Sequence, residues 1–181
     1  MLAPSTAGDA YGLLKTAMRG DNPVMFLEHK GLYGSKGPVP TEEYTIPFGK
    51  AVVRREGKDV TLIAVSQMVL RAMAAADALA QQGISVEVID PRTVVPLDRE
   101  AILQSVAKTG RLAIADEAYA NCGFSAEIAA TVAEEALEDL DAPVRRICAL
   151  PAPHAFSPSL DSEISPLVER IVKEITELIR Q

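Results

Sequence analysis

The sequence predicts an α/β fold: a three-layer sandwich with a five-stranded, mostly parallel sheet, one antiparallel edge strand, and helices on both faces. Three observations carry this. From Ala51 onward, short β-branched apolar runs alternate with stretches whose apolar residues recur every three or four positions. The joints between them are short, and parallel neighbours require a crossover of the helical kind. Residues 59–96 show the repeating unit most plainly, as a strand, a helix and a second strand.

In that unit residues 60–65 are the first strand, Ser66 is placed to cap a helix, and Val69, Met73, Ala76 and Ala80 share one helical face. Gly83 sits at the left-handed position after the helix, and residues 84–89 form the second strand, stopped by Asp90-Pro91. The crossover should be right-handed. Before it, residues 51–54 form a strand, and Glu56-Gly57-Lys58-Asp59 turns back to pair it with residues 60–65 as a hairpin. After it, Asp98 caps a helix that carries Ile102, Leu103 and Val106, with Lys108 in its last turn and Gly110 beyond. Residues 112–115 are a strand, and a helix starts at Ser125 with Ile128, Val132, Ala136 and Leu140 at four-residue spacing. Residues 143–148 are the last strand, and 151–158 a Pro-rich loop. Ser165 and Pro166 open a final helix striped by Leu167, Ile171, Ile175 and Leu178, with Glu169–Lys173 as an i,i+4 pair.

The N-terminal region differs. Ser5 or Thr6 caps a helix with Ala10, Leu13, Leu14, Ala17 and Met18 on one face; Gly20-Asp21-Asn22-Pro23 ends it, and residues 24–27 are a strand. One helix and one strand cannot bury their own apolar faces, so residues 1–28 read as the end of another domain. Residues 29–48 are a linker, broken by glycines and prolines.

A length of 181 residues suits one domain, or one domain and a piece of another. A net charge of −7 argues against nucleic acid and anionic membrane as partners and for basic protein surfaces. Two cysteines, Cys122 and Cys148, make no disulfide framework, which fits a cytoplasmic location. No apolar run reaches the ~18 residues of a membrane span, and the N-terminus lacks the pattern of a signal peptide.

Ligands of open α/β sheets bind beyond the carboxyl ends of the strands. The candidates there are Ser66, Arg92, Asp116 and Glu117, which in a free-standing interaction or regulatory module would hold a small anion. Asp116 and Glu117 are adjacent, so one is expected on loop amides and the other in solvent rather than as an acid/base pair. Arg92 reads first as a salt bridge to Asp90 or Asp116. Cys122 precedes a helix but has no histidine near it in sequence, and His29 and His154 are too far apart in sequence to suggest a metal site. No glycine-rich phosphate loop follows any strand.

The strings NPVMFLEHKGLYGSKGPVP, YTIPFGKA, GKDVTLIAVSQMV, SVEVIDPRTVVPLD, KTGRLAIADEA, GFSAEIAA, LDAPVRRI and FSPSLDSEISP run in one order along the chain. In this the chain resembles the β subunits of thiamine-diphosphate-dependent 2-oxo acid dehydrogenases: those for pyruvate, branched-chain 2-oxo acids and acetoin. The resemblance implies that residues 1–28 are a remnant of a pyrimidine-binding domain, 29–48 a linker and 49–181 a transketolase-like C-terminal domain. It implies that thiamine diphosphate, Mg and the catalytic residues lie outside this chain, which alone would be inactive. A potassium half-site would fall on Ala17, Gly20 and Asn22. Implied partners are an α subunit, a second β subunit in a heterotetramer, and the basic subunit-binding domain of a dihydrolipoyl acyltransferase. That domain would dock on Asp141 and the carboxylate of Gln181.

Overall fold

A computed structural model describes residues 1–153 and 155–181; His154 lies outside the described residues. Helix α1 (Ala7–Met18) comes first, followed by an irregular segment with a short 3-10 turn at Lys30–Leu32. Five strands follow: β1 (Val52–Arg55), β2 (Val60–Ala64), β3 (Val86–Asp90), β4 (Leu112–Tyr119) and β5 (Arg145–Ala149). Helices α2 (Met68–Ala80), α3 (Arg99–Thr109) and α4 (Phe124–Glu135) connect them, and α5 (Pro158–Ile164) and α6 (Val168–Ile179) end the chain.

The strands form one sheet in the order β1-β3-β2-β4-β5. Pairs β2/β3, β2/β4 and β4/β5 are parallel, and β1 runs antiparallel to β3 with Val52 opposite Asp90. The antiparallel edge strand is present, but its partner corrects the hairpin expectation. β2 is central and fully buried, with both edges taken by β3 and β4. The chain therefore leaves β1, passes the start of β3 at Gly57, and enters β2 from there. A Cβ on Gly57 would meet the backbone of Val86 and Glu87, so only glycine fits that crossing.

Alternate residues divide the sheet's two faces. Val60, Leu62, Val86, Val88, Ala113 and Ile147 pack under α2 and α6. Ile63, Ile89, Leu112 and Ile114 pack under α3 and α4. Polar groups on the second face satisfy one another: Thr61 Oγ1 lies 2.6 Å from Ser105 Oγ and 2.8 Å from Thr109 Oγ1. Ser105 Oγ donates to Glu87 Oε1 at 2.5 Å, and Lys108 Nζ completes the strip on Glu87.

Local signals mostly stand where expected. Thr6 caps α1, accepting from Asp9 N–H at 3.1 Å, and Asp98 caps α3. Gly83 and Gly110 take φ of 79° and 68°. Ile84 N–H to Leu79 O and Gly83 N–H to Ala80 O close the end of α2 as a Schellman motif. Other expectations are corrected. Ser66 does not cap α2; it has a φ of 54°, and the N-cap position of the helix that begins at Met68 is Gln67, which makes no side-chain cap bond. Residues 24–27 form no strand of the sheet but one parallel bridge, Phe26 to Leu2, with Leu2 bridging Thr93 on its other side. Leu14 and Met18 are 48% and 74% exposed, because Tyr44 and Ile46 close over Gly12 and bury the Leu13 side of α1 instead. α4 stops at Glu135, and Leu140 reaches the core from beyond a 3-10 turn. A helix not expected from the sequence, α5, follows the Pro-rich stretch from Pro158; its last turn is closed by the amide of Ser165, and α6 begins only at Val168. Lys173 sits 4.0 Å from Glu177 rather than on Glu169.

Candidate functional site

α2 leaves β2 toward one face of the sheet and α4 leaves β4 toward the other, so the strand order switches between β2 and β4. A cavity of about 320 Å³ opens there, lined by Val65, Ser66, Asp116 and Phe124, with Leu27 and His29 on its outer wall. The chain's own N-terminal segment thus lies over the place where open α/β sheets take ligands.

The side chains in this crevice are committed to the fold. Asp116 accepts from the N–H of Ala118 at 3.0 Å and of Ser125 at 3.3 Å, which stitches the end of β4 to the start of α4. Glu117 holds His29 Nε2 at 3.0 Å, with Arg71 Nη1 at 3.9 Å. His29 Nδ1 accepts from Gly31 N–H at 3.0 Å and so caps the 3-10 turn. Both ring nitrogens are occupied, which leaves His29 no free position to activate Ser66 as a nucleophile. The contact instead fastens the linker to the carboxyl end of the sheet.

Arg92 stands apart from these groups. At φ 58° it turns back, its guanidinium donating to Lys50 O at 2.8 Å and lying 3.4 Å from Asp9 Oδ1. It is tied to Asp9 rather than to the side chains of Asp90 or Asp116; only its backbone N–H reaches Asp90, at 2.9 Å. Asp90 is fully buried and accepts as well from Ser5 Oγ at 2.5 Å and from Arg54 Nε and Nη2 at 3.1 and 2.7 Å. Arg54 also grips Asp9. Burial pushes the Asp90 carboxyl upward against the pull of Arg54 and Ser5. Burial also works against the Arg54 charge, but Asp90 and Asp9 outweigh it and hold the guanidinium above its ordinary value. Four donors on one carboxylate make this an ion pair, and it joins α1 to β1 and β3.

The structure therefore brings Ser66 and Asp116 to one cavity, puts Glu117 on the His29 that lines it and sends Arg92 elsewhere; among the described residues the nearby cationic groups, His29 and Arg71, are turned onto Glu117. Sequence reasoning missed the His29–Glu117 and Asp9–Arg54–Asp90 contacts. Asp9 in a first helical turn is a local signal, but its partner 45 residues away is not. Cys122 is exposed at φ 56° just before α4, and Cys148 is buried with its sulfur 3.1 Å from Ser125 Oγ. Among the described residues no three His, Cys, Asp or Glu converge to hold a metal ion. Ala17 O accepts from Gly20 N–H at 3.3 Å as α1 ends, and Asn22 is exposed beyond it. Asp141 is two-thirds exposed, with Arg111 Nη1 at 3.8 Å; the adjoining Ala142 shares a core with Ile175 and Leu178 of α6.

Comparison with known proteins places this arrangement. The pattern of the transketolase C-terminal domain matches residues 49–171. The chain is 47% identical over 178 residues to the acetoin:2,6-dichlorophenolindophenol oxidoreductase subunit beta of Bacillus subtilis, covering 98% of this chain and 52% of that protein. It is 46% identical over 177 residues to the mitochondrial pyruvate dehydrogenase E1 component subunit beta-1 of Arabidopsis thaliana, covering 96% and 49%. With the 2-oxoisovalerate dehydrogenase subunit beta of Bacillus subtilis it shares 41% over 182 residues, covering 98% and 56%. The chain spans about half the length of these relatives. A solved structure described as a split gene transketolase, inactive beta4 tetramer, superposes with a TM-score of 0.80 at 23% identity, covering 99% of this chain and 56% of that one, and supports the fold. With that pattern spanning more than half of its length, the chain belongs to the transketolase C-terminal domain family.

Proposed function

We propose that this chain is the C-terminal portion of the β subunit in the decarboxylating component of a 2-oxo acid or acetoin dehydrogenase complex, and that it serves subunit assembly and docking to the acyltransferase core. One observation carries the reading. Identity to β subunits covers 98% of the chain, and so takes in residues outside the 49–171 pattern. A free-standing domain of the transketolase type would not need that N-terminal segment. Its α1 also keeps Leu14 and Met18 in solvent, as expected of a pyrimidine-domain remnant that meets other protein.

The residues present do not fit thiamine diphosphate. Asp116 is taken up by the Ala118 and Ser125 amides and His29 by Glu117, and no phosphate loop follows any strand. The cofactor and its Mg belong outside this chain, and no chemical step is assigned to it. Potassium on Ala17, Gly20 and Asn22 would have carbonyl and amide oxygens from this side only. Calorimetry with thiamine diphosphate and Mg should show no micromolar binding; micromolar binding by the chain alone refutes the assignment.

Docking rests on Asp141 and the Gln181 carboxylate, with an α subunit and a second β subunit as the other partners. Asp141 is two-thirds exposed just before β5, which supports its availability to a partner. A chain of net charge −7 should meet a basic domain quickly and in a salt-sensitive way. Asp141→Ala is expected to slow association with a basic subunit-binding domain several-fold. Unchanged binding, or binding indifferent to salt, counts against this site. The proposed compartment is the cytoplasm; among the described residues no helix is long and apolar enough to cross a membrane.

A further inference from the structure

His29 lines three cavities, of about 270, 320 and 280 Å³. Its hydrogen bonds fix which ring nitrogen carries the proton. Gly31 N–H donates to Nδ1 at 3.0 Å, so Nδ1 must offer a lone pair. Nε2 lies 3.0 Å from Glu117 Oε2, so Nε2 carries the hydrogen and donates it. The ring is neutral in this arrangement, and its two bonds join a turn to the sheet. Three backbone bonds build that turn: Leu32 N–H to His29 O at 2.9 Å, Tyr33 N–H to Lys30 O at 3.2 Å and Ser35 N–H to Leu32 O at 2.9 Å. Gly31 sits so close to Gln67, just before α2, that a Cβ would lie 2.6 Å from Gln67 Nε2. With its side chain 34% exposed, His29 is open to protons from solvent.

We propose that His29 is a proton-operated latch: neutral, it holds the Lys30–Leu32 turn to the sheet, and on taking up a proton it keeps Glu117 but releases the turn. The added proton can go only to Nδ1. There it meets the Gly31 N–H as donor against donor, and that bond breaks. Nε2–H stays on Glu117, and the contact becomes an ion pair, roughly twice as strong as its neutral form. Glu117 is the charge that faces the ring from the end of β4, and Arg71 of α2 lies 3.9 Å from Glu117. The other acids nearby are engaged: Asp116 by the amides of Ala118 and Ser125, and Glu28 by Tyr33 Oη at 2.8 Å. Lys30 is the remaining charged neighbour, next to His29 in the chain. Leu32, Tyr33 and Ser35 line the cavity of about 270 Å³ together with His29, so releasing the turn loosens one wall of that cavity while His29 itself stays in place. The latch follows from these contacts and does not depend on the dehydrogenase assignment.

Nuclear magnetic resonance on the full chain tests it between about pH 8 and about pH 5, the range in which imidazoles take up a proton. Ring-nitrogen shifts should report the Nε2–H form of His29 at the upper end and the imidazolium at the lower end. Over the same step the Gly31 and Tyr33 amides should lose ~5-fold in protection, relative to intrinsic exchange at each pH, with the amides of β2 and β4 unchanged. His29→Asn offers an uncharged side-chain oxygen in place of Nδ1, so Gly31 should stay protected across the range. Glu117→Gln keeps an acceptor for Nε2–H but removes the charge that favours the imidazolium, and should move the transition to lower pH. A His29 ring that carries its proton on Nδ1 at the upper end overturns the proposal. So does Gly31 protection that does not follow His29, or that falls only together with the whole sheet. A loss that persists in His29→Asn, or a transition that ignores Glu117→Gln, overturns it as well.

Discussion

Arg54→Met would test what holds α1 to the sheet. Arg54 bridges Asp90, which is fully buried, and Asp9, which is 4% exposed. Removing it leaves Asp90 without a cation, and Asp9 with Arg92 alone, in a place water does not reach. Breaking a buried ion pair from one side costs about 3–5 kcal/mol. The Arg54 side chain keeps 21% of its surface in solvent, and Ser5 and the Arg92 amide remain on Asp90. The lower end applies, about 3 kcal/mol, which is on the order of a 100-fold loss in the folding equilibrium. Urea unfolding measures this directly, and hydrogen exchange should show the α1 amides opening first. Arg54→Met combined with Asp90→Asn removes the stranded charge along with its partner, so it should regain at least half of the loss. A single variant that loses less than ~1 kcal/mol, or a double variant that simply adds the two losses, refutes the view that these charges fasten the N-terminal segment.

Three further outcomes are expected. Burial pushes Glu87 up, but Lys108, Ser105 and the Gly57 amide outweigh it and hold the carboxyl below its ordinary value of 4.5. Its stabilisation is therefore present above pH 4.5 and lost as pH falls through the folded value, and Glu87→Gln should flatten that acid-side decline in a series of urea midpoints. Gly57→Ala drives a Cβ into the backbone of Val86 and Glu87, which cannot swing away as a side chain could, and should cost about 1–3 kcal/mol by chemical unfolding. Leu13→Ala empties the centre of the small cluster with Leu2 and Ile46, and should cost about 2–3 kcal/mol, seen as faster exchange in α1 with little change in α2 or α6.

The sheet was legible because its code is local. β-branched runs, short joints and caps such as Asp98 and Gly110 each act within a few residues, and the alternation of Leu62 with Ile63 announces two covered faces. What could not be read was the placement of polar side chains between distant segments. Nothing around Arg54 names Asp9 or Asp90, and nothing in the linker assigns His29 to Glu117. The hairpin expectation failed for a related reason. A turn-like Glu56-Gly57-Lys58-Asp59 favours pairing of neighbours, but the central position of β2 is decided by two later strands competing for its edges. Ser66 misled because a serine before a helix suggests a cap; here it occupies a left-handed turn, and the N-cap position falls on Gln67. At the candidate crevice the residue types were foreseen, yet which of them remained free depended on the chain folding back over the sheet.

The same contrast sets how the two parts of the chain hold together. The C-terminal sheet is sealed by large aliphatic clusters on both faces, which act without regard to direction and tolerate small shifts. The N-terminal segment rests on three fully or nearly buried apolar residues, Leu2, Leu13 and Ile46, together with directional charge contacts at Arg54 and Arg92. Charges matched this closely specify one orientation while adding little net stability, because their desolvation offsets most of their attraction. An element attached in that way sits at a defined angle yet belongs to the least stable end of the molecule. That combination suits a segment whose outer residues, Leu14, Met18, Met25 and Leu27, face solvent in this chain. It is presented in a fixed pose by the sheet behind it, and its remaining stability is left to be supplied by whatever protein surface closes over it.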